Sequence, residues 1–278
     1  MKYFAETLKY MFKNLLYILP MGILPGLVYV GAFDYAHFKL VVTKFFTGKL
    51  LELEYLDLFR FFSLLNVSTW YGTLLSVFGF FVICIMVATL LALIEKHMRI
   101  GKRTLNGVFS KLNDNILTTI FVAFVGIAIY EIWTALTALA LFSILKLFIR
   151  SVVAAYIFFI IVLALAVYLL VSILAKLVLW IPCQLITGFN VFESLTYSAH
   201  LSETRKRRLY LPLFLPVLIG TSILCLCVIG GTPALAPVVF FVYLFYVLFF
   251  CTLMEVAYFT DAEMEREDLK PVYKRRNL

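Results

Sequence analysis

The sequence predicts an all-α, polytopic membrane protein with six transmembrane helices, arranged as three hairpins that are each preceded by a cytoplasmic amphipathic helix. Hydrophobic residues make up 64% of the 278-residue chain and charged residues only 14%. A soluble domain is nearer half apolar and a quarter charged, so the bilayer must be the solvent for most of this surface. Long apolar runs and the placement of Lys and Arg between them indicate the same fold class.

Six apolar runs reach the length of about 20 residues that a helix needs to span a bilayer. Within a single transmembrane domain of residues 1–259, they cover about residues 15–33, 70–94, 116–137, 152–181, 209–229 and 234–258. Pro20 and Pro25 predict a kink in the first run. Basic residues precede this run, as in a signal peptide, but no small-residue cleavage site follows, and we therefore expect it to be retained as a span.

Two regions of the sequence do not divide simply into spans and loops. The third apolar block continues to Phe148, which predicts either one long tilted helix or a span that ends near Thr137 with an interfacial helix after it. We favour the second, because Lys146 and Arg150 recur one turn apart on one face. Residues 34–68 mix charged and aromatic residues in runs too short to span. This segment predicts two interfacial amphipathic helices broken near Gly48 or, alternatively, a re-entrant or cap structure that covers the bundle.

The distribution of basic residues predicts the topology. With the N terminus in the cytoplasm, the inner segments carry 17 Lys and Arg residues and the outer segments carry 6, which is a positive-inside signal. Both termini, including a charged tail of residues 260–278, are therefore predicted to be cytoplasmic in a multi-pass protein of the cell (plasma) membrane. The net charge of +8 favours contact with anionic lipid headgroups. No groove pattern of aromatic and basic residues favours nucleic acid.

A short pattern precedes the first, third and fifth spans. A charged residue, a hydroxyl residue and Leu follow one another at Glu6-Thr7-Leu8, Arg103-Thr104-Leu105 and Glu193-Ser194-Leu195. The pattern indicates either a threefold internal repeat or a chance match, since Thr-Leu pairs are common. The apolar stripe of an amphipathic helix accompanies the first two units, at Leu8, Met11, Phe12 and Leu15 and at Leu105, Val108, Phe109 and Leu112.

The sequence around the third unit resembles a known group of proteins. Trp180-Ile181-Pro182 ends the fourth span, Ser198-Ala199-His200-Leu201 follows, and the basic run of residues 205–208 opens the fifth span. This order resembles that of uncharacterised bacterial six-span membrane proteins related to the membrane domain of some glycerophosphodiester phosphodiesterases. The resemblance covers about residues 150–230 and implies a six-span membrane fold. It brings neither the catalytic barrel of those enzymes nor an established activity.

Few residues are candidates for a functional site. Glu131 is the one acid well inside an apolar run, which by default predicts a substrate or proton pathway. Because it lies near the predicted outer interface, the alternative is a structural, hydrogen-bonded acid. We interpret Glu255, at the inner end of the sixth span, as an interfacial group. A basic cytoplasmic face that contacts lipid headgroups or docks an acidic partner consists of Arg205, Lys206, Arg207 and Arg208.

The sequence lacks the patterns that indicate a reaction. The three histidines show no His-x-x-x-His spacing, the five cysteines lie in or at the edge of apolar runs, and no glycine-rich phosphate loop occurs. We therefore expect no metal, no cofactor and no catalytic residue, and we predict that the protein is not an enzyme. The sequence favours a transporter-like or permease-like protein. The alternative is a membrane scaffold or accessory subunit that docks a protein partner through its basic cytoplasmic face.

Overall fold

The computed structural model describes residues 2–106, 108–203, 206–231 and 234–270, without the side chains of residues 108–116, 118 and 206. The described residues form eleven α-helices and two short 3-10 helices, Leu50–Glu52 and Glu267–Leu269. In chain order the α-helices are α1 (Lys2–Lys13), α2 (Leu15–Ala32), α3 (Tyr35–Phe46), α4 (Tyr55–Phe62), α5 (Trp70–Ile100), α6 (Val108–Leu147), α7 (Val152–Leu177), α8 (Trp180–Thr187), α9 (Val191–Glu203), α10 (Lys206–Ile229) and α11 (Leu235–Asp261).

Six helical segments within the described ranges are long and apolar enough to cross a membrane. They are Leu15–Ala32, Trp70–Ile100, Thr119–Leu147, Val152–Thr187, Arg207–Ile229 and Leu235–Asp261. The prediction of an all-helical chain with six apolar helices of membrane-spanning length is therefore confirmed. In the third and fourth segments only 17% of the most apolar stretch is buried within the protein, which leaves a wide apolar surface for lipid to cover.

The third long helix differs from the expected span. α6 runs without interruption from Val108 to Leu147, about 60 Å, and does not end near Thr137. The sequence contains neither Gly nor Pro between Gly126 and Leu147, so no residue there disfavours a helix. The last turns of α6 are also stabilised by packing, because Ala138, Leu141 and Leu145 are buried.

The second unit of the sequence pattern also differs from the first and third. Thr7 in α1 and Ser194 in α9 are helical and completely buried. Thr104 lies in the non-helical residues 102–106 that precede α6, and it is only partly buried. The side chains of Val108, Phe109 and Leu112, which the predicted stripe contains, lie outside the described residues. The units thus share their order in sequence but not their local structure.

Residues 35–62 form a structure that we call the cap. Gly48 separates α3 from the following 3-10 helix and α4, and its φ of 78° is a left-handed conformation that favours glycine. The buried side chains Val41, Leu50, Leu53 and Leu58 pack against Ala138, Leu141 and Leu145 of α6 and Ala155 and Phe159 of α7. The segment therefore contains the two helices broken near Gly48 that the sequence predicts, and it also covers helices of the bundle, as in the alternative interpretation.

Close packing at glycines holds α2 between α5 and α11. A Cβ atom added to Gly22 would lie 2.8 Å from Leu244 Cδ1, and one added to Gly79 of α5 would lie 2.8 Å from Val28 Cγ1. Both distances are shorter than carbon atoms in contact allow. Small residues therefore let the three helices approach closely, as is usual where helices associate in membranes.

We expect Gly22→Val to lower the free energy of unfolding by about 1–3 kcal/mol, because the added methyl groups overpack the contact with Leu244 and Leu248. Thermal unfolding in detergent can be followed with a thiol-reactive dye, since Cys84, Cys183 and Cys251 are buried and free. Gly126→Val is the matched control, because a Cβ atom there has no neighbour within 4 Å. Equal unfolding temperatures for the two variants would contradict the close packing of Gly22 against Leu244 and Leu248.

Candidate functional site

Glu131 lies on α6 beside the end of the cap, and both of its carboxylate oxygens accept hydrogen bonds from the residues after α4. Ser63 Oγ donates to Oε2 at 3.0 Å, and Leu64 N donates to Oε1 at 2.9 Å. The neighbouring Tyr130 hydroxyl donates to the carbonyl of Phe62 at 2.8 Å. α6 thus binds the last residue of the cap and the two residues that follow it. Hydrogen bonding of this kind is the structural role that the sequence analysis gave as the alternative for Glu131.

Tyrosines from two further helices continue this polar region, and Tyr29 links them to Glu131. The ring of Tyr29 on α2 stacks on that of Tyr243 on α11, with centroids 3.5 Å apart. Tyr29 also shares a hydrogen bond with Tyr243 and lies within electrostatic range of Glu131. The Tyr246 hydroxyl donates to the carbonyl of Val217 on α10 at 3.2 Å. We call Glu131, Tyr29, Tyr130, Tyr243 and Tyr246 the outer polar cluster.

A second polar region lies on α1. Its buried face contains Tyr3, Thr7 and Tyr10, followed by Asn14, and these positions are spaced along one side of a helix. Of the predicted apolar stripe, Met11 is buried, Leu8 and Leu15 are partly buried against the core, and Phe12 is 64% exposed. The polar side chains of α1 therefore share the buried face with part of that stripe, because they have hydrogen-bonding partners there.

Those partners come from distant parts of the chain. The Tyr3 hydroxyl donates to Asp261 Oδ1 at the end of α11, and the Tyr10 hydroxyl lies 2.8 Å from His97 Nδ1 of α5. Arg103 Nη2 donates to Asn14 Oδ1 at 2.8 Å. Burial raises the pKa of Tyr10 above its ordinary value, and the nearby Asp268 carboxylate raises it further. Tyr10 is therefore a neutral hydroxyl at physiological pH.

Two acids are buried beside this stripe. Glu95 on α5 is 2% exposed and Glu255 on α11 is 0% exposed, and both lie within electrostatic range of Tyr258. Arg99 Nε lies 3.1 Å from Glu95 Oε1. The sequence analysis interpreted Glu255 as an interfacial group, whereas the structure places its side chain in the protein interior.

Glu95 was not singled out by the sequence, because it directly precedes a polar segment. The residues around Glu95 in the sequence nevertheless indicate that its side chain is buried. Leu91, Ala92 and Met98 flank Glu95 at the helical spacings i−4, i−3 and i+3, which indicates a buried face. All three flanking side chains are buried. Tyr243 and Tyr246 of the outer polar cluster carried a comparable signal, since they lie in the middle of an apolar run and tyrosines are otherwise enriched at the ends of spans.

The tail folds back onto the same inner region. Arg266 lies 2.9 Å from Asp268 and 4.0 Å from Glu6, and its guanidinium group lies 5.8 Å from the centre of the Tyr10 ring. The side chains of Arg266 and Asp268 are only 10% and 4% exposed. The start of the charged tail is therefore packed against α1, while residues 271–278 lie outside the described residues.

The predicted basic face is described only in part. Arg207 and Arg208, in the first turn of α10, are exposed. Arg205 lies outside the described residues, as does the side chain of Lys206. Within the described ranges, no group of three or more His, Cys, Asp or Glu side chains is arranged to hold a metal ion.

No protein-family model matches the chain, and comparisons with curated proteins and with solved structures find no match either.

We expect Glu131→Ala to accelerate amide hydrogen exchange at residues 63–65 by about tenfold or more, because the Leu64 N–H and the Ser63 hydroxyl lose their acceptor. Glu131→Gln keeps one carbonyl oxygen and should have a smaller effect. Exchange of the intact protein in detergent, read by mass spectrometry, provides the measurement. Glu52→Ala, at an exposed acid of the cap, is the control. Unchanged exchange in Glu131→Ala would refute the conclusion that Glu131 stabilises residues 63–65 by hydrogen bonds.

Proposed function

We propose that the protein is a transporter-like or permease-like protein of the cell membrane, and that the outer polar cluster begins a pathway for a proton or a small cation. One observation carries the proposal: a carboxylate and four tyrosine hydroxyls from α2, α6 and α11 gather within apolar helices of spanning length. Ionisable groups inside membranes commonly mark substrate or proton pathways. Tyrosine rings beside a carboxylate also suit a cation.

The contacts of Glu131 suggest how such a pathway is gated. The side chain of Glu131 accepts two hydrogen bonds from Ser63 and Leu64, and hydrogen bonds to a carboxylate are roughly twice as strong as neutral ones. Protonation, or a cation bound beside Glu131, weakens this hold on the residues after α4. Occupancy of the site is thereby coupled to movement of the cap, which is the kind of coupling that a gated pathway needs.

The proposed topology follows the distribution of charge. The six spans form three hairpins with both termini in the cytoplasm, and helices such as α1 lie at the inner surface before them. Anionic headgroups contact the inner side, where Arg207 and Arg208 are exposed. We assign no catalytic residue and no cofactor, and we propose a protein that is not an enzyme.

The exposed Arg207 and Arg208 also favour a second candidate, a scaffold or accessory subunit that docks an acidic protein. This candidate requires no movement of ions through the outer polar cluster. The known group that the sequence around residues 180–208 resembles gives no support to either candidate, since it brings no established activity.

The test is ion flux in proteoliposomes that contain a pH-sensitive dye. With an imposed potassium gradient and valinomycin, we expect wild-type protein to carry protons faster than empty liposomes. Glu131→Gln should reduce the rate about tenfold or more, since it removes the ionisable group, whereas Glu52→Gln should not. If wild type and Glu131→Gln both match empty liposomes, the proposal fails. A protein that co-purifies with wild type and is lost in Arg207→Ala/Arg208→Ala would then favour the scaffold.

A further inference from the structure

A groove lies where the end of α7 meets α9. Lys176 of α7 forms one side, and Thr196, Ala199, His200 and Glu203 of α9 form the other, around a volume of about 320 Å³. Ser198 Oγ donates to the carbonyl of Lys176 at 2.9 Å. This bond to the main chain of Lys176 attaches α9 to α7. The charged side chains of the groove do not take part in it.

The groove presents charges of both signs. Lys176, His200 and Glu203 are all exposed, and none of them forms an ion pair within the part of the chain that the structure describes. A lysine ammonium binds phosphate as a point charge, and an imidazole N–H can donate to the same group. A carboxylate accepts hydrogen bonds from an ammonium group. The set therefore suits a ligand that carries a phosphate and a primary amine.

An apolar track leads to the groove. Leu165, Leu169 and Ile173 precede Lys176 on the same face of α7, and they are 58%, 52% and 40% exposed. The distance from Leu165 to Lys176 along the helix is about 16 Å, close to the half-thickness of the hydrocarbon core, which is about 30 Å across. Lys176 thus lies at the end of an exposed apolar face of α7, and the end of such a face is the level of lipid headgroups.

We propose that this groove binds a phospholipid with a phosphoethanolamine headgroup. The phosphate lies beside Lys176 and His200, the ammonium group lies beside Glu203, and an acyl chain follows Leu165, Leu169 and Ile173. Basic pockets at the cytoplasmic ends of membrane helices are known to take lipid headgroups, and Glu203 adds the selectivity. A choline headgroup offers Glu203 no N–H donor, and a glycerol headgroup offers it no cation. The proposal does not depend on a pathway at Glu131.

Native mass spectrometry of the full chain in detergent can test the choice of ligand. The probes are phosphatidylethanolamine, phosphatidylcholine and phosphatidylglycerol with identical acyl chains, together with free phosphoethanolamine. We expect phosphatidylethanolamine to bind most tightly and free phosphoethanolamine to bind far more weakly. Equal binding of the three lipids, or tightest binding of phosphatidylglycerol, overturns the proposal. Free phosphoethanolamine that binds as tightly as the lipid identifies a soluble ligand instead and also overturns it.

Variants test the assigned residues. Lys176→Ala should weaken binding of all three lipids about fivefold, which is the scale of an exposed ion pair. Glu203→Gln should abolish the preference for phosphatidylethanolamine over phosphatidylcholine without weakening phosphatidylglycerol. Lys9→Ala and Glu193→Gln, at exposed residues outside the groove, are the controls and should bind as wild type. Since all four side chains are exposed, the unfolding temperatures should agree. Wild-type affinity and selectivity in both groove variants would overturn the assignment.

Discussion

The bilayer removes water as a hydrogen-bonding partner, and the arrangement of this protein follows from how its polar groups are satisfied without it. Helices satisfy the backbone. Two groups of polar side chains in the described residues are joined by hydrogen bonds between helices. One lies beside the cap, where Glu131 and Tyr130 bind the residues after α4. The other lies at the inner ends of α5 and α11, where Tyr10 contacts His97. Between them the helices are apolar and approach closely at glycines such as Gly22.

The same constraint explains the orientation of α1. On a soluble protein, an amphipathic helix turns its apolar face inward. At a membrane surface lipid can cover an exposed Phe12, but lipid cannot satisfy the hydroxyls of Tyr3 and Tyr10. These side chains therefore turn toward Asp261 and His97. The start of the tail adds to this region, because Arg266 packs over Tyr10. This end of the helix bundle is consequently built from the first residues, the last described residues and the ends of two long helices.

Features set by local sequence could be predicted, and features set by distant partners could not. Apolar length predicted the six long helices, and Gly48 predicted the break in the cap. The polar contacts of Tyr3 and Tyr10 on α1 were missed because their partners are 258 and 87 residues away in sequence. The continuation of α6 past Thr137 is compatible with its local sequence, which has no Gly or Pro there, and it is stabilised by the distant Leu50, Leu53 and Leu58 of the cap, which pack against the end of that helix. Glu131 was recognised as unusual from its apolar neighbours. Its hydrogen bonds to Ser63 and Leu64 were not predictable, because the sequence does not show where the cap lies.

α2 is the helix that connects the two polar regions, so the proposed pathway depends on the groups that this helix offers between them. Tyr17 near its start lies beside His97, with ring centres 5.9 Å apart, and Tyr29 near its end stacks on Tyr243. About 18 Å of helix separates these two tyrosines. Pro20 and Pro25 lie within that distance, so the carbonyls of Leu16 and Met21 have no N–H donor one turn further on. Such carbonyls are the groups that a cation or a water chain can use inside a membrane. A pathway between the two regions would therefore run along α2.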